Sequence, residues 1–332
     1  MPVTQKDIAR KLNLSIMTIS RALKGHPDIN IETRKLVEKT AREMNYSVNL
    51  VARSLVQKRT NTIGVVVPDI SEPFYAEIVR GVESVLRRYH YNILLADSDN
   101  DDNLELEALR TLLEKRVDGL IFCATEKSSE YIHILENISI PYVLINNNPV
   151  GLECDSIYID RGLGARNALL HLISSGFEKL FYFYSFQHME QSRKSIQGCF
   201  EALKEANAPR EMLQLLFCET HELETYYKMA LDNIHYQNQR IGLFVWDDEM
   251  AIGVYRAVVE KGLAIPDQVG IIGFDDIKIS SYLPKALTTI HYPKTEMGQK
   301  SAERVIQRLT SEEPLAIKNI MLDLQLIKRE TT

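Results

Sequence analysis

From residue 62 onward, short apolar runs alternate with amphipathic segments that have helical spacing. In chain order, the runs are TIGVVVPD, YNILLAD, DGLIFCA, PYVLINN, KLFYFYSF, IGLFVWDD and VGIIGFDD. Each run is apolar throughout rather than at every second position, which indicates strands buried on both faces of a parallel sheet. Two sets of such units predict an α/β fold with two doubly wound parallel-sheet subdomains, each built with right-handed crossovers.

Several of these runs end on a polar side chain. In open α/β sheets, ligands bind beyond the carboxyl ends of the strands, so these side chains should face a cleft between the subdomains. Carboxylates bind vicinal hydroxyls and aromatic faces bind a ring, which favours a neutral polyol such as a sugar. Some of the carboxylates could instead cap the helix that follows them. The polar residues at run ends are Asp69, Asp97, Asn146, Asp247 and Asp275, and the aromatic residues near them are Phe74, Tyr75 and Trp246.

Ahead of these runs, the first 47 residues predict three short helices. Thr4 can cap the first helix and Ser15 the second, with a tight turn between them. The third segment, ETRKLVEKTAREM, is amphipathic and should turn Leu36, Val37 and Ala41 inward. Two helices joined by a tight turn, with a third packed on them, are typical of a helix-turn-helix DNA-binding unit. A helical cap on an enzyme would show the same pattern.

The charge of the chain is divided unevenly. Residues 1–60 contain 12 Lys and Arg against 5 Asp and Glu, a net +7, while the whole chain carries −6, which leaves −13 for the remaining residues. Only the first 60 residues therefore suit a polyanion such as DNA. Within them, residues 48–60 have room for about two helical turns, which predicts either a helix that is marginal alone or a plain linker.

Three motifs in the first 60 residues are long enough to be specific: T-x-x-D-I-A, S-x-x-T-I-S-R-x-L and N-Y-S-x-N-x-x-A-R-S-L. In these motifs the chain resembles the lactose/galactose repressor (LacI/GalR) family of bacterial transcriptional regulators. The resemblance continues through IGVVVPDISEPFYAEIVRG, KRVDGLIF, DDEMAIG, VGIIGFDD and LTTIHYP, and so covers nearly the whole chain. It implies a helix-turn-helix head, a hinge helix and a core of two subdomains. The core would resemble periplasmic sugar-binding proteins, and the chain would pass between its two subdomains three times.

The resemblance assigns DNA contacts to the head and the hinge. Ile16, Met17 and Arg21 would face base edges, and Arg21 suits a guanine. Ile16 could pack in the core of the head instead. Two copies of the hinge helix would lie in one minor groove, where Leu55 wedges between base pairs. The residues expected to contact DNA are Thr4, Ser15, Ile16, Met17, Thr18, Ser20, Arg21, Asn49, Ala52, Arg53, Leu55 and Lys58.

In the core, the resemblance places Phe74, Asp247 and Asp275 in the ligand cleft. A family arginine usually stands three residues before the Gly of the helix carried here by IQGCFEAL, but Ser195 occupies that place. Arg193 lies two residues earlier and is the candidate for the ligand clamp. The residues expected to bind the ligand are Asp69, Phe74, Tyr75, Asn146, Asp160, Arg193, Trp246, Asp247 and Asp275.

The expected function is that of a ligand-controlled transcriptional repressor. A near-palindromic double-stranded operator needs two heads, so we expect a homodimer that a small-molecule effector, a sugar, releases from DNA. A purine corepressor or a partner protein could give the signal instead, and a sugar-binding protein or an enzyme could use the same core.

The predicted domain boundaries are 1–47 for the head, 48–60 for the hinge, and 61–332 for the ligand-binding and dimerisation core. Within the core, we expect a first subdomain of about 61–160 and 292–320 and a second of about 161–291 and 321–332.

Other classes of function find no support in the sequence. The four cysteines are scattered, without a CxxC pair or metal-like spacing, so we expect reduced thiols and no metal. RGLGARNA lacks the third glycine of a dinucleotide fingerprint, and GxxxxGKS, GxSxG and HExxH do not occur, so we expect neither an enzyme nor a cofactor. The first residues show no signal pattern and no apolar run could span a membrane, which predicts a cytoplasmic protein.

Overall fold

The computed structural model describes five stretches of the chain: residues 3–46, 59–125, 130–146, 152–185 and 189–332. The chain forms two compact units, Met1–Thr60 and Asn61–Thr332. No helix within the described stretches is long and apolar enough to cross a membrane. Five of the expected DNA contacts, all in the predicted hinge, lie outside the described residues: Asn49, Ala52, Arg53, Leu55 and Lys58.

Three helices build the first unit: α1 (Gln5–Leu12), α2 (Ile16–Leu23) and α3 (Ile31–Glu43). Thr4 and Asp7 cap α1 reciprocally, and Asn13 then reverses the chain with a left-handed φ of 55°. Ser15 caps α2, because its hydroxyl accepts a hydrogen bond from the Thr18 amide at 3.0 Å. The two helices and the turn between them therefore form the helix-turn-helix that the sequence predicts.

The core of this first unit is small and apolar. Ile8, Ile19 and Val37 are fully buried between the three helices. Val37 and Ala41 face inward as predicted, but the prediction for Leu36 is wrong, since 50% of this residue is exposed. Neighbouring positions on an α-helix point about 100° apart, so positions 36 and 37 cannot share one narrow buried stripe.

The second unit contains two six-stranded sheets. The strands of the first are β1 (Thr62–Val67), β2 (Asn92–Asp97), β3 (Gly119–Cys123), β4 (Tyr142–Ile145), β5 (Asp155–Ile159) and β11 (Asn319–Leu322). They lie in the order β11-β5-β4-β3-β1-β2, and all neighbouring pairs are parallel. The helices of this half are α4 (Pro73–Arg88), α5 (Asp102–Glu114), α6 (Glu130–Asn137) and α11 (Lys294–Thr310).

The second sheet repeats this plan. Its strands are β6 (Lys179–Ser185), β7 (Leu213–Cys218), β8 (Ile241–Val245), β9 (Val269–Phe274), β10 (Thr288–His291) and β12 (Gln325–Ile327). They lie in the order β12-β10-β9-β8-β6-β7, and only the β10–β12 pair is antiparallel among these described strands. Its helices are α7 (Arg161–Ser174), α8 (Met189–Glu205), α9 (Leu223–Asn233) and α10 (Asp248–Glu260), with short 3-10 helices at Arg210–Met212 and Lys278–Tyr282.

The chain passes between the two sheets three times, after β5, after β10 and after β11. On the second pass α11 packs closely against α4. A Cβ atom at Gly81 would lie 2.1 Å from the Thr295 carbonyl oxygen, and one at Gly298 would lie 2.1 Å from the Ile78 carbonyl oxygen. Only glycine allows the two backbones to approach so closely. These two positions therefore fix the returning segment against the first sheet.

Candidate functional site

A cavity of about 60 Å³ lies at the carboxyl ends of strands from both sheets of the second unit. Six predicted ligand-binding residues line it, because parallel strands end at one edge of each sheet and bring distant segments together. They are Phe74, Tyr75, Asn146, Trp246, Asp247 and Asp275. The strand-end pattern in the sequence thus leads to one site in the structure.

The other three predicted ligand-binding residues lie elsewhere. Asp69 accepts a hydrogen bond from the Ser71 amide at 2.7 Å, and Asp160 caps α7 by accepting one from the Leu163 amide at 2.9 Å. Both carboxylates thereby serve the local backbone. Arg193 is exposed on α8, where it lines a separate surface depression. Its side chain is not part of the cavity lining.

Asp247 caps α10 and forms an ion pair with a histidine that the sequence reading missed. Its Oδ1 accepts a hydrogen bond from the Met250 amide at 2.7 Å, while its Oδ2 lies 2.8 Å from Nε2 of His221. Burial favours the uncharged form of both side chains, but the attraction between the imidazolium of His221 and the carboxylate of Asp247 is larger. The pKa of His221 is therefore raised and the pKa of Asp247 is lowered. The cavity thus contains a charged pair, with the imidazolium on the loop that follows β7.

Arg161, the first residue of α7, supplies the second cation of the cavity. Its guanidinium lies between two rings. The guanidinium carbon, Cζ, is 3.8 Å from the ring centroid of Trp246 and 4.1 Å from that of Phe274. The Nη2 group donates a hydrogen bond to the Trp246 carbonyl oxygen, and Nη1 lies 4.0 Å from Oδ1 of Asp275. The arginine therefore joins the ends of β5, β8 and β9 at one point.

The two remaining carboxyl groups of the cavity are held closer to their neutral forms. Burial raises the pKa of Glu72 to about 8. The positive charge of His221 lowers this pKa in part, and the negative charge of Asp247 raises it further. Burial also raises the pKa of Asp275, although Arg161 lowers it in part. The Tyr292 hydroxyl donates a hydrogen bond to Asp275 at 2.9 Å. Glu72 can therefore both donate and accept hydrogen bonds at neutral pH.

Three atoms of the cavity residues lack a hydrogen-bond partner among the described residues, although each is buried. They are Oδ1 of Asn146, Nε of Arg161 and Nδ1 of His221. Buried polar atoms without a partner are costly, and a cluster of them needs an explanation. Two N–H donors and one carbonyl acceptor at one cavity match a ligand that carries several hydroxyl groups.

Sequence reasoning missed Glu72, Arg161, Gln191, His221 and Tyr292, which also line the cavity. The strand-end rule could have found two of them, because Arg161 follows β5 by two positions and Tyr292 follows β10 directly. Gln191 lies in the first turn of α8, where its side-chain amide donates a hydrogen bond to the Asn146 carbonyl oxygen at 2.8 Å. This bond links a helix of the second sheet to the end of β4.

In the first unit, the side chains of α2 that the family resemblance assigns to DNA are exposed or partly exposed. Ile16 and Met17, at the start of the helix, are 49% and 68% exposed. Ile16 thus lies on the surface rather than in the core of the head. The Thr18 and Ser15 hydroxyls lie 2.8 Å apart beside them. Arg21, one turn further on, reaches Asp28 with 2.7 Å between Nη2 and Oδ2.

Comparison with known proteins gives matches over both units. Residues 4–49 match the family model of bacterial regulatory proteins, lacI family, and residues 169–332 match a periplasmic binding protein-like domain. Catabolite control protein A of Priestia megaterium is 32% identical over 336 residues, which is 100% of this chain and 100% of that protein. The ribose operon repressor of Haemophilus influenzae is 32% identical over 92% of each chain.

Solved structures show the same relationship. A LacI family transcriptional regulator from Enterococcus faecium, with bound ribose, is 29% identical with a TM-score of 0.72, over 82% of this chain and 98% of that one. A lac repressor dimer bound to operator and an anti-inducer shares the fold, with 23% identity and a TM-score of 0.86 over 100% of this chain and 99% of that one. These relatives are transcriptional regulators rather than enzymes. The chain therefore belongs to the LacI family of bacterial regulatory proteins.

Proposed function

We propose that this regulator is a repressor that leaves its operator when a small neutral sugar binds in the cavity at the strand ends. The observation that carries the proposal is the set of buried, unpartnered atoms on Asn146, Arg161 and His221 within the described cavity. Hydroxyl groups act both as donors and as acceptors, so one polyol satisfies all three atoms together with the carboxylates of Asp247 and Asp275.

The charge of the cavity supports a neutral ligand. Each cation of the cavity already lies beside a carboxyl group: Nε2 of His221 is 2.8 Å from Oδ2 of Asp247, and Nη1 of Arg161 is 4.0 Å from Oδ1 of Asp275. The pKa of Glu72, raised to about 8, keeps that side chain uncharged at neutral pH. A phosphate would therefore meet a carboxyl group beside each cation. The core as a whole carries −13 by the sequence and adds no attraction for an anion.

The size of the cavity supports a monosaccharide. Pockets for small molecules usually measure about 300 to 1,000 Å³, whereas this cavity measures about 60 Å³. Binding must therefore widen the cleft between the sheets, and a single sugar ring requires less movement than an oligosaccharide. Similarity to a ribose operon repressor and to a regulator with bound ribose points to a pentose as the first compound to test.

On the DNA side, we propose that Ile16, Met17 and Arg21 read bases while Thr4, Ser15, Thr18 and Ser20 hold the backbone. The proposal extends to the hinge residues Asn49, Ala52, Arg53, Leu55 and Lys58, with Leu55 as a minor-groove wedge. A homodimer in the cytoplasm would place two heads on a near-palindromic operator. Sugar binding would shift the subdomains of the core, separate the two hinge segments and weaken both heads together.

The test uses the sole tryptophan of the chain, Trp246, which is 4% exposed and lines the cavity. The full-length protein is titrated with D-ribose, other pentoses, hexoses and purines while the emission of Trp246 is followed. We expect a saturable change with one sugar, and loss of binding to a duplex selected by the protein at the same sugar concentrations. A saturable response to purines alone, or operator binding that no sugar changes, would contradict the proposal.

A further inference from the structure

We propose that Asp28 is a positioning residue, which orients the guanidinium of Arg21 for the recognition of a guanine in the major groove. The inference rests on the proposed base contact of Arg21 and adds to it a residue outside the recognition helix. Asp28 lies in the loop between α2 and α3, seven positions after the arginine that it holds.

The ion pair engages only part of the guanidinium. Nη2 of Arg21 lies 2.7 Å from Oδ2 of Asp28 and 3.4 Å from Nδ1 of His26. Both of these contacts use Nη2, which leaves Nη1 and its two N–H groups for another acceptor within the described head. The side chains of Arg21 and Asp28 are 41% and 43% exposed, so Nη1 can meet DNA. Guanine presents two neighbouring acceptors in the major groove, O6 and N7, and Nη1 can donate to them.

Asp28 is itself held by the loop rather than by the arginine. Gly25 takes a left-handed φ of 71° at the end of α2. Arg34, from α3, donates hydrogen bonds from Nη2 to the carbonyl oxygens of Gly25 and His26, at 3.0 Å and 2.8 Å. The ring of His26 then forms a hydrogen bond with Oδ1 of Asp28. The position of the carboxylate is therefore set by the fold of the loop.

A fixed carboxylate restricts a side chain that is otherwise long and flexible. The guanidinium is planar, so holding Nη2 limits both the plane of the group and the direction of Nη1. Restricting the arginine before binding reduces the conformational entropy that is lost in the complex. Selectivity for guanine should increase, because a base that presents a donor or no acceptor in that direction cannot pair with the oriented Nη1.

The carboxylate of Asp28 should also weaken DNA binding in general, while it improves the recognition of guanine. A negative charge beside the recognition helix repels the phosphate backbone, and this repulsion is the same for every DNA sequence. Removing the charge of Asp28 should therefore increase affinity for non-specific DNA. It should at the same time decrease discrimination at the guanine that Arg21 reads. Neither an unspecific charge effect nor damage to the loop produces this combination.

The experiment compares full-length wild type with Asp28→Asn, Arg21→Ala and Glu38→Gln. The glutamine variant is the matched control, because Glu38 is an exposed carboxylate on α3 in the same unit. The probes are the tightest duplex that wild type selects from a random library, its derivatives with each G·C pair changed to A·T, and an unrelated duplex. Affinities are measured at two salt concentrations, and thermal unfolding is followed by circular dichroism.

In wild type, one G·C pair should be preferred about tenfold over its replacement, near the lower end of the range for an arginine contact to guanine. Arg21→Ala should abolish this preference. Asp28→Asn should lower it about threefold or more, as expected for loss of an exposed ion pair, while binding to the unrelated duplex becomes tighter. Glu38→Gln should keep the wild-type preference, and all variants should unfold at similar temperatures.

Three outcomes would overturn different parts of the argument. If Arg21→Ala keeps every G·C preference, the proposed base contact itself is wrong. If Arg21→Ala loses the preference but Asp28→Asn keeps it in full, the base contact stands and the positioning role of Asp28 is wrong. A loss of affinity for all duplexes together with a lower unfolding temperature would assign Asp28 to the stability of the loop and would also overturn the inference.

Discussion

The guanidinium of Arg161 covers one face of the Trp246 ring at 3.8 Å and contacts Phe274 at 4.1 Å. The guanidinium therefore covers a face of Trp246, one of the aromatic residues that the sequence predicts to contact a sugar ring. The same group approaches Asp275 and leaves its Nε without a partner among the described residues. Any ligand that enters the cavity must contact this arginine or displace it.

Replacing Arg161 with Ala should weaken sugar binding about tenfold, because a cation–π contact and charge-assisted hydrogen bonds are lost from a buried site. The emission of Trp246 should change even without sugar, since its neighbour is removed. Arg193→Ala is the matched control and should keep wild-type affinity, because Arg193 is exposed outside the cavity lining. Titrations followed by tryptophan fluorescence compare the two. Loss of binding in Arg193→Ala alone would reverse this assignment.

Glu72 should make the stability of the core depend on pH. Burial raises the pKa of Glu72 in the folded protein to about 8, whereas an unfolded chain has about 4.3. Between these values the folded state binds more protons, so the free energy of unfolding falls as the pH rises and stops falling above about 8. Glu72→Gln should remove about 1 kcal/mol or more of that decrease.

Urea unfolding at a series of pH values from about 5 to 9 measures the effect of Glu72. Glu107→Gln provides the control, because Glu107 is exposed on α5. Its pH profile should follow that of wild type. If Glu72→Gln and wild type lose stability in parallel across this range, the carboxyl group is charged in the folded protein and the prediction fails.

Asp248 should stabilise the loop that carries Asp275. Its carboxyl group accepts hydrogen bonds from the Ile277 amide at 2.9 Å and from the Ser280 and Thr289 hydroxyls at 2.6 Å each. Asp248→Ala leaves these buried donors unpaired and should cost about 3 kcal/mol or more in chemical denaturation. The exposed Asp323 serves as control, with a change within about 0.5 kcal/mol for Asp323→Ala. Equal small losses at both positions would refute this role.

Ser15 should have two separable roles, as helix cap and as phosphate contact. Ser15→Ala removes the hydrogen bond from the Thr18 amide and should cost about 1 kcal/mol of stability in the head. Ser15→Asp restores a cap but places a negative charge near DNA. We therefore expect the aspartate variant to unfold like wild type and yet bind its operator several-fold more weakly. Unchanged operator affinity in Ser15→Asp would separate Ser15 from the phosphate backbone.

Much of the core could be predicted because many of its strands are continuous apolar runs. The run VGIIGFDD, for example, contains β9, which is buried at every position, and places Asp275 immediately after it. The expectation of burial on both faces is wrong for β2, which lies at the edge of the first sheet and has no buried position. Strand β7 was missed, because Gln214 interrupts its apolar run; the strand lies at the edge of the sheet, where three of its six positions are buried. His221 follows β7, so the partner of Asp247 was missed with it. Strands β11 and β12 are short edge strands and gave no apolar run.

Side-chain direction accounts for the rest of the differences. Asp160 was expected to bind the ligand, but it caps α7, whereas the adjacent Arg161 enters the cavity. Arg193 was chosen by its distance along the helix from Gly198, but its side chain points to solvent. Such choices between adjacent positions depend on how α7 and α8 pack, which periodicity in the sequence does not specify.

The first sheet contains a strand that is synthesised after five of the six strands of the second sheet. Strand β11, at Asn319–Leu322, pairs with β5, and α11 packs on α4, although these partners emerge more than a hundred residues earlier. A growing chain therefore exposes the open edge of β5 and the uncovered face of α4 throughout synthesis of the second sheet, a state that favours aggregation and chaperone binding. The half of the core that begins first is consequently completed only after most of the other half has been synthesised.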